Sequence, residues 1–486
     1  MPLKISFSID KTQLIVGENP VCQIQLTNTG QKSLEIIQPV SGGGLPAFRV
    51  KNIRTGTEEL IQGNIMPNAI APTRIINPGE VINIPLPLLN CVGELLVGEY
   101  LISAVYKLNN GREYVESDTV KVNIGQVEVS NLFLDSVRGT TVNGVFVNSG
   151  SVIPQIVAAR FDLGIDGGVK MMMPVGKGTL QSRPYISMPP NNAPSLGNWI
   201  AWTENNLLEF IHYDVEMGLS TSGKFTLPSN NCEIVPTLYI KQNAAFGFRA
   251  AGEVIVWSGG ESSLDSSLQF INLISTEDKV TAQPGMSVNL AGEHPEWIRH
   301  YARSDGSRFI TFLRKYNHKI CLYALLLPEK GGAVIKQLKE WTGDFVAVGA
   351  TLGFDDVLRI AVLFRGDEGG DQKLEVLGLA LDSGNKITKY HQSIIPWGAT
   401  ANIESAKVRV RYNGDPAILI RPPDGRWTVY DGYGKLVPVP APYNESQLEI
   451  DIAFFNGTEI VMICAEMNST ITIRRLDGSD LPHTII

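Results

Sequence analysis

One short segment of the chain concentrates the side chains that could do chemistry. Residues 293–303 read Glu-His-Pro-Glu-Trp-Ile-Arg-His-Tyr-Ala-Arg and combine acids, imidazoles, cations and aromatic rings. The spacing is not the H-E-x-x-H of a zinc protease, and Pro295 disfavours a continuous helix from His294. Such groups at the entry to a strand suit contact with a ligand or partner, because connecting loops collect there. We predict four binding residues in this segment: Trp297, Arg299, His300 and Tyr301. The alternative is an ordinary inner strand that carries a tryptophan and a partly buried arginine.

An acidic, glycine-rich loop, Arg365–Asp371, is the second candidate. Three of its seven residues are carboxylates, and Ca²⁺ prefers oxygen ligands, but the spacing is not that of an EF-hand. Its Arg-Gly-Asp tripeptide has little support as an adhesion motif without an export signal. We interpret the loop as a solvated hairpin tip, and we predict no metal site and no cofactor.

Motifs for catalysis are absent from the sequence. Ser149-Gly150-Ser151 and Ser41–Gly44 are turns without the strand and helix that a nucleophile elbow or a phosphate loop requires. The paired carboxylates of a glycosidase would come from different repeats, so sequence cannot identify them. Five acids near strand ends are candidates for such a pair: Glu204, Asp214, Glu296, Asp356 and Glu404. We assign no catalytic residue, and the sequence favours a non-enzymatic protein over an enzyme.

The elements that must position these residues form a repeat. Seven turns end a strand-like run with small, acidic or glycine-rich residues, at intervals of about 46 to 60 residues. They lie at residues 161–168, 213–218, 273–278, 327–331, 381–384, 430–434 and 476–480. Each unit can be read as four strands, and the third unit has an extra strand-like run at Thr237–Lys241. A unit that cannot bury its own apolar face must stack on its neighbours.

Over residues 126–486 this pattern resembles a seven-bladed β-propeller with four-stranded blades. The resemblance is architectural, because the sequence has no WD dipeptide pattern, no kelch double glycine and no sialidase box. It implies radial sheets built from contiguous sequence. It also implies that the seven tryptophans, all of which lie in the repeats, fill the wedges between blades. They are Trp199, Trp202, Trp257, Trp297, Trp341, Trp397 and Trp427.

Residues 1–125 read as a separate all-β domain with a turn signal every 8 to 15 residues or so. The strand Val21–Gly30 and the run Gly98–Tyr106 resemble the immunoglobulin-like β-sandwich. We predict seven strands: Leu3–Asp10, Pro20–Gly30, Leu34–Val40, Ala47–Gly56, Arg74–Leu88, Gly98–Leu108 and Tyr114–Ile124. Because Cys91 falls in a loop before the strand that would carry a second bridge cysteine, we expect no inter-sheet disulfide. Of the five scattered cysteines, Cys22, Cys321 and Cys464 lie in apolar strands, which suits buried free thiols in a reducing compartment.

Charge and hydropathy exclude some classes of partner. The net charge of −8 and the absence of a basic run argue against nucleic-acid binding. The start of the chain has no signal peptide, and no stretch approaches 18 apolar residues, which argues against membrane insertion. We therefore expect a cytoplasmic or virion-associated protein.

The function that fits these features is a non-enzymatic structural or protein-interaction subunit of a larger assembly, such as a phage particle or tail-like machine. Its partners would be other proteins of that assembly. The alternative is a carbohydrate-binding or glycoside-cleaving propeller that uses its central funnel. Carboxylates about 5 to 9 Å apart in an open funnel would favour the enzyme. Contacts on the outer faces would favour the scaffold.

Overall fold

The structure is a computed structural model that describes most of the chain. The described residues are 2–37, 45–62, 73–93, 95–108, 113–125, 127–134, 141–150, 153–162, 168–187, 198–214, 219–227, 232–234, 239–241, 250–259, 266–275, 279–290, 295–302, 308–327, 332–352, 357–366, 372–380, 386–395, 405–411, 414–421, 428–433, 435–437, 449–455, 459–465, 471–475 and 483–485. The fold is all-β apart from one short helix among these residues.

The first part of the chain consists of strands β1 to β11 and helix α1. Their bounds are β1 Leu3–Ile9, β2 Gln13–Ile15, β3 Val21–Asn28, β4 Leu34–Ile37, β5 Ala47–Asn52, β6 Glu58–Ile61, β7 Thr73–Ile76, β8 Val81–Pro87, α1 Leu88–Val92, β9 Gly98–Lys107, β10 Tyr114–Glu116 and β11 Val120–Gly125. One sheet has the order β1-β3-β8, and a second has the order β2-β11-β9-β5-β6 with β10 also paired to β9. β4 and β7 form a separate two-stranded sheet.

A single apolar core lies between the two larger sheets. On β3 the side chains alternate, so Cys22, Ile24 and Leu26 are fully buried while their neighbours face outward. This confirms the predicted alternation of that strand, since successive side chains of a strand point to opposite faces. Phe48 and Ile102 of the second sheet belong to the same core.

The predicted single strand Arg74–Leu88 is wrong, because a turn divides it into β7 and β8. Gly79 adopts a left-handed φ of 79°, and the Glu80 amide donates to the Asn77 carbonyl at 3.0 Å. The Pro-Gly pair in the middle of the run is the turn signal that explains the break. Cys91, expected in a loop, lies in α1.

Residues 129–485 form seven consecutive antiparallel sheets among the described residues, which we number sheets 1 to 7. Sheet 1 comprises β12 Val129–Leu134, β13 Thr141–Asn148, β14 Gln155–Asp162 and β15 Gly168–Lys177. Sheet 2 comprises β16 Tyr185–Ser187, β17 Asn198–Glu204, β18 Leu207–Asp214 and β19 Leu219–Thr226. Sheet 3 comprises β20 Cys232–Ile234, β21 Tyr239–Lys241, β22 Ala250–Ser258, β23 Ser267–Ser275 and β24 Val280–Asn289. Sheet 4 comprises β25 Trp297–Ala302, β26 Arg308–Tyr316, β27 Lys319–Leu327 and β28 Val334–Thr342. Sheet 5 comprises β29 Asp344–Leu352, β30 Val357–Arg365, β31 Gln372–Ala380 and β32 Lys386–Ile395. Sheet 6 comprises β33 Ser405–Val410, β34 Pro416–Arg421, β35 Thr428–Asp431 and β36 Leu436–Val437. Sheet 7 comprises β37 Glu449–Phe455, β38 Glu459–Ala465, β39 Ile471–Arg475 and β40 His483–Ile485.

Each of the seven turns found in the sequence lies between the last two strands of a sheet. The turn of sheet 6 explains why an acidic residue is useful there. One carboxylate oxygen of Asp431, Oδ1, accepts hydrogen bonds of 2.9 Å from the amides of Tyr433 and Lys435. An aspartate that bonds its own backbone in this way stabilises a tight turn.

Sheet 3 contains the irregularity that the sequence indicated at Thr237–Lys241. β20 pairs with one end of β22 and β21 with the other, on the edge of β22 that β23 does not occupy. The first strand position of this sheet is therefore filled by two short strands, and the sheet has five strands instead of four.

The seven sheets follow one another in contact, and the last sheet contacts the first. Each sheet contacts the next one, and the first strand of sheet 7, β37, contacts the first strand of sheet 1, β12. First strands meet closely: a Cβ on Gly349 of β29 would lie 2.1 Å from the carbonyl oxygen of Val408 on β33. The fourth strand of sheet 4, β28, carries mostly exposed side chains.

Apolar side chains fill the spaces between neighbouring sheets. Five of the tryptophans lie among the described side chains, and each is buried in a cluster shared by two sheets. Trp199 of sheet 2 packs on Gly252 of sheet 3, and Trp202 packs on Gly176 of sheet 1. The prediction that tryptophans fill these wedges is confirmed for the five, while Trp397 and Trp427 lie outside the described residues.

The sandwich of β1 to β11 is joined to sheet 1 by backbone pairing. The amide of Met172, on the outer strand β15, donates to the carbonyl oxygen of Gly17 at 3.0 Å, and Glu18 forms a parallel bridge with Met172. The Glu18 carboxylate holds this loop, because it accepts from the Ile15 amide at 3.0 Å and from Lys11 Nζ at 2.7 Å. The two parts of the chain therefore contact each other beyond their covalent link.

Candidate functional site

The four predicted binding residues lie on β25, and strand alternation divides them between two faces. Trp297 and Tyr301 pack with Leu358 and other side chains of sheet 5. Ile298, which points the other way, packs with side chains of sheet 3. His300 shares the face of Ile298, so it does not converge with Trp297 and Tyr301 on one pocket.

On the face toward sheet 3, His300 belongs to a buried charged group that also contains Glu253 and Arg308. Arg308 Nη1 donates to Glu253 Oε2 at 2.6 Å, and His300 Nε2 lies 3.9 Å from Glu253 Oε1. The His300 and Glu253 side chains are 0% and 1% exposed, whereas that of Arg308 is 23% exposed. The Arg308 guanidinium also lies 5.6 Å from the ring centroid of Phe270, within range of a cation–π contact.

The strand register explains how these three residues meet. Arg308 begins β26 and pairs with Ala302 at the end of β25, two residues after His300. Glu253 lies near the middle of β22, the central strand of sheet 3. A carboxylate taken out of water is costly unless it is paired and hydrogen-bonded, and Arg308 provides that partner. The group therefore joins sheets 3 and 4, and the burial of His300 leaves it no contact with solvent.

On the face toward sheet 5, Tyr301 lies among cations. Burial raises the pKa of the Tyr301 phenol, while the positive charges of Arg299 and Arg409 act to lower it. The Arg299 guanidinium lies 5.6 Å from the Trp297 ring centroid and donates to the Ile298 carbonyl at 3.2 Å. Arg409 belongs to β33, the first strand of sheet 6, so cations from two sheets act on Tyr301.

Arg409 was not among the residues predicted from the sequence. It lies between the buried residues Val408 and Val410, and a polar residue between two apolar ones is expected in any half-buried strand, so the sequence does not single it out. Only the ring-like order of the sheets places it near Tyr301, and that order is a long-range property.

A second buried carboxylate, that of Glu375 on β31, was also not predicted. Trp341 Nε1 donates to Glu375 Oε2 at 3.0 Å, and Lys339 Nζ lies 3.6 Å from Oε1. Trp341 and Lys339 belong to the outer strand of sheet 4, so this contact joins sheets 4 and 5. An acid between the apolar residues Leu374 and Val376 was the available signal.

The acids proposed as a glycosidase pair do not meet where the structure describes them. Glu204 pairs with Leu207 at one end of β18, and Asp214 ends that strand seven residues later (207 to 214). At about 3.4 Å per residue these positions are about 24 Å apart, far beyond the 5 to 9 Å or so of a catalytic pair. Glu296 is exposed just before β25, where its amide donates to the Leu313 carbonyl.

Several predicted features lie outside the described residues: Glu293, His294, Arg303, Asp356, Glu404 and most of the acidic loop 365–371. Among the residues that the structure describes, no group of three or more His, Cys, Asp or Glu side chains could hold a metal ion. In the same part of the chain, no helix has the length and hydropathy needed to cross a membrane.

Comparisons with known proteins give a likeness of fold at low sequence identity. No protein-family model and no curated protein matches the chain. Its neighbours among solved structures include the WD40 domain of SCAP from fission yeast (12% identity, TM-score 0.44), which covers 74% of this chain and 84% of that one. The NanB sialidase from Streptococcus pneumoniae has 8% identity and a TM-score of 0.37 over 87% of this chain and 89% of that one.

A third neighbour is the acylaminoacyl peptidase of Pyrococcus horikoshii, with 13% identity and a TM-score of 0.40 over 73% of this chain. The match spans about half of that peptidase, 52% of its length. All three TM-scores lie below 0.5, so these likenesses carry no argument about a ligand, a partner or an activity.

Proposed function

We propose that residues 126–486 form a seven-bladed β-propeller, that residues 1–125 form an immunoglobulin-like sandwich, and that the protein is a non-enzymatic subunit of a larger protein assembly. The propeller is supported by seven consecutive sheets whose contacts return from the last to the first. The sandwich is supported by two sheets that share one apolar core.

The observation that carries the non-enzymatic assignment is the use of buried charged groups between sheets. Glu253 and Glu375, the buried glutamates in the described part of the seven sheets, each bind side chains of a neighbouring sheet. Side chains that stabilise the contacts between neighbouring sheets are fixed in position. Such an arrangement suits a rigid scaffold. A rigid surface binds partners with less loss of conformational freedom than a mobile one.

The outer strands support a role in protein contacts. Val334 and Ile335 at the start of β28 are 52% and 46% exposed, and Tyr316, at the hairpin tip beside the other end of β28, is 70% exposed. Aromatic and aliphatic side chains at the surface are typical anchors of protein interfaces.

The test is recovery of the tagged full-length protein from a native extract of its source, at low and at high salt, followed by mass spectrometry. We expect one or two stoichiometric protein partners that persist at high salt, because apolar contacts are not screened by ions. A matched sample of Val334→Glu/Ile335→Glu should lose a partner that binds sheet 4, while Leu180→Glu, at an exposed leucine near the connection between sheets 1 and 2, should retain it. Recovery of the protein alone at both salt concentrations would contradict the assignment.

A carbohydrate-binding role is the second candidate, and Arg409, a half-buried cation on the first strand of sheet 6, favours it. A guanidinium can bind the carboxylate or sulfate of an acidic sugar through two parallel hydrogen bonds. A glycan array with the full-length protein tests it. Binding of acidic glycans that Arg409→Met weakens would support this role, and an array without signal would exclude it.

A further inference from the structure

We infer that Cys22 and Cys91 form a disulfide bond when the protein meets a low-molecular-weight disulfide such as oxidised glutathione. Both residues are free cysteines in the one apolar core of the sandwich, and their thiols are close enough for each to shift the pKa of the other. A disulfide needs two sulfur atoms that can approach each other without movement of the backbone. The closeness of the two thiols within one core meets the first part of that condition.

The second part is met by the hydrogen bonds that hold α1, which carries Cys91. The Leu88 amide donates to the Pro20 carbonyl at 2.9 Å, and the Leu89 amide donates to Asn19 Oδ1 at 2.7 Å. Both acceptors lie just before β3, which carries Cys22. The helix is therefore fixed at the start of the strand that holds the other cysteine.

β8 positions the two cysteines from the other side. It pairs with β3 so that Leu86 lies opposite Cys22, and the Cys22 thiol donates to the Leu86 carbonyl at 3.1 Å. β8 then runs directly into α1. Five residues of chain (86 to 91) thus separate the strand position opposite Cys22 from Cys91, and the path between them is a turn of helix.

The two thiols differ in electrostatics and in burial. Their interaction lowers the pKa of Cys22 and raises the pKa of Cys91. Cys91 is 5% exposed and Cys22 is 0% exposed. Cys91 is the less completely buried of the two, so it is the thiol that a low-molecular-weight disulfide reaches first.

The reaction is thiol–disulfide exchange. The Cys91 thiolate, having released its proton to water, attacks one sulfur of oxidised glutathione, and one glutathione thiolate leaves. The Cys22 thiolate then attacks the Cys91 sulfur of this mixed disulfide, and the second glutathione thiolate leaves. Two S–H bonds are broken and one S–S bond is formed in the protein, while oxidised glutathione takes up two electrons and two protons to give two molecules of reduced glutathione.

Cys321 provides a matched comparison, because it is another buried free cysteine with different neighbours. Its sulfur lies 3.8 Å from Glu340 Oε2 and 3.8 Å from Gln337 Nε2 on β28. Burial, followed by the charge of Glu340, raises the pKa of this thiol. Its described contacts are with polar groups and not with a second cysteine sulfur, so we expect it to stay reduced.

The experiment treats the full-length protein with mixtures of oxidised and reduced glutathione. One arm uses the folded protein and a second arm refolds the protein in the same mixtures, so that burial of the thiols cannot hide the reaction. Acid quenching, alkylation with N-ethylmaleimide and peptide mapping then identify free and paired cysteines. Cys91→Ser and Cys321→Ser proteins are treated in the same way.

We expect the number of free thiols to fall from five to three, with a cross-linked peptide pair that contains Cys22 and Cys91. Cys321→Ser should still form this pair, and Cys91→Ser should leave Cys22 reduced. Formation of the bond in either arm supports the inference. It would be overturned by five free thiols in both arms, by glutathione attached to Cys91 without a cross-link, or by a cross-link between other cysteines.

Discussion

Arg308 and Glu253 form an ion pair that crosses from sheet 4 to sheet 3, with Nη1 of Arg308 2.6 Å from Oε2 of Glu253. The carboxylate is 1% exposed, and His300 lies on its other side. The pair therefore links sheets 3 and 4 through a buried carboxylate. Loss of either partner affects the fold more than the same change at the surface would.

Replacement of Arg308 by methionine should lower the free energy of unfolding by about 3 kcal/mol, because Glu253 would keep a buried charge without its guanidinium partner. Equilibrium unfolding in urea measures this change. The double variant Glu253→Gln/Arg308→Met should recover much of the loss, since it removes both charges. Lys224→Met is the control, because the Lys224 side chain of the Lys224–Glu209 pair is 64% exposed, and an exposed ion pair contributes little to stability. Equal losses in the Arg308 and Lys224 variants would contradict the argument.

The recurrent turns predicted the order of the sheets well because turn chemistry is local. Asp431 binds the amides of its own turn, and the same kind of acidic or glycine-rich step recurs before the last strand of each sheet. The alternation of β3 was predicted for the same reason, since it depends on the period of one strand. The turn at Gly79 was missed although its Pro-Gly signal was present.

The partners of the candidate site could not be predicted in the same way. Glu253 lies 47 positions before His300 (300 − 253) and in a different sheet, so only the packing of sheets 3 and 4 brings them together. The division of Trp297 and His300 between two faces follows from strand alternation, and the sequence contained that information. Arg409 near Tyr301 depends on the placement of sheet 6 relative to sheet 4, which no local pattern encodes.

The junction between sandwich and seven sheets should depend on Gly17. This residue has a left-handed φ of 77°, and its carbonyl accepts from the Met172 amide. Gly17→Ala should lower the free energy of unfolding by about 1 kcal/mol, because a residue with a Cβ disfavours this conformation. The substitution should also turn the carbonyl of residue 17 away from the Met172 amide. Hydrogen exchange of the Met172 amide should become faster.

Gly56→Ala is the matched control for the junction. Gly56 has a similar φ of 72° and open space around its Cβ position, and it lies in a turn of the sandwich between β5 and β6. It should cost a similar amount of stability and leave the exchange of Met172 unchanged. Faster exchange of Met172 in both variants would show that the effect comes from loss of sandwich stability alone.

The wedge between sheets 1 and 2 should not tolerate a methyl group at Gly176. A Cβ there would lie 2.4 Å from Cζ2 of Trp202, a fully buried side chain. Gly176→Ala should lower the free energy of unfolding by about 1 to 3 kcal/mol, the usual cost of overpacking, and shift tryptophan fluorescence as Trp202 moves. Gly332→Ala, where nothing lies within 4 Å, should change neither. An unchanged urea midpoint for Gly176→Ala would mean that the wedge has more room than the structure shows.

Stability of the sandwich should fall in alkaline solution because of Tyr106. The phenol donates to the carbonyl oxygen of Ile37, and burial raises the pKa of Tyr106 from 10.0 to about 12. A group whose pKa is higher in the folded state stabilises fully below the pKa of the unfolded chain, and this stabilisation is lost as the pH rises toward the folded value. The free energy of unfolding should therefore decline between about pH 10 and 12.

Tyr106→Phe separates this titration from other alkaline effects. At pH 7 the variant should lose about 1 kcal/mol, because the Ile37 carbonyl loses its donor. Between pH 10 and 12 its free energy of unfolding should decline less steeply than that of the wild type, because no phenol is left to ionise at this position. Urea unfolding at several pH values measures both slopes. Parallel slopes in the two proteins would mean that the Tyr106 phenol ionises as readily in the folded sandwich as in the unfolded chain, which the burial of its ring argues against.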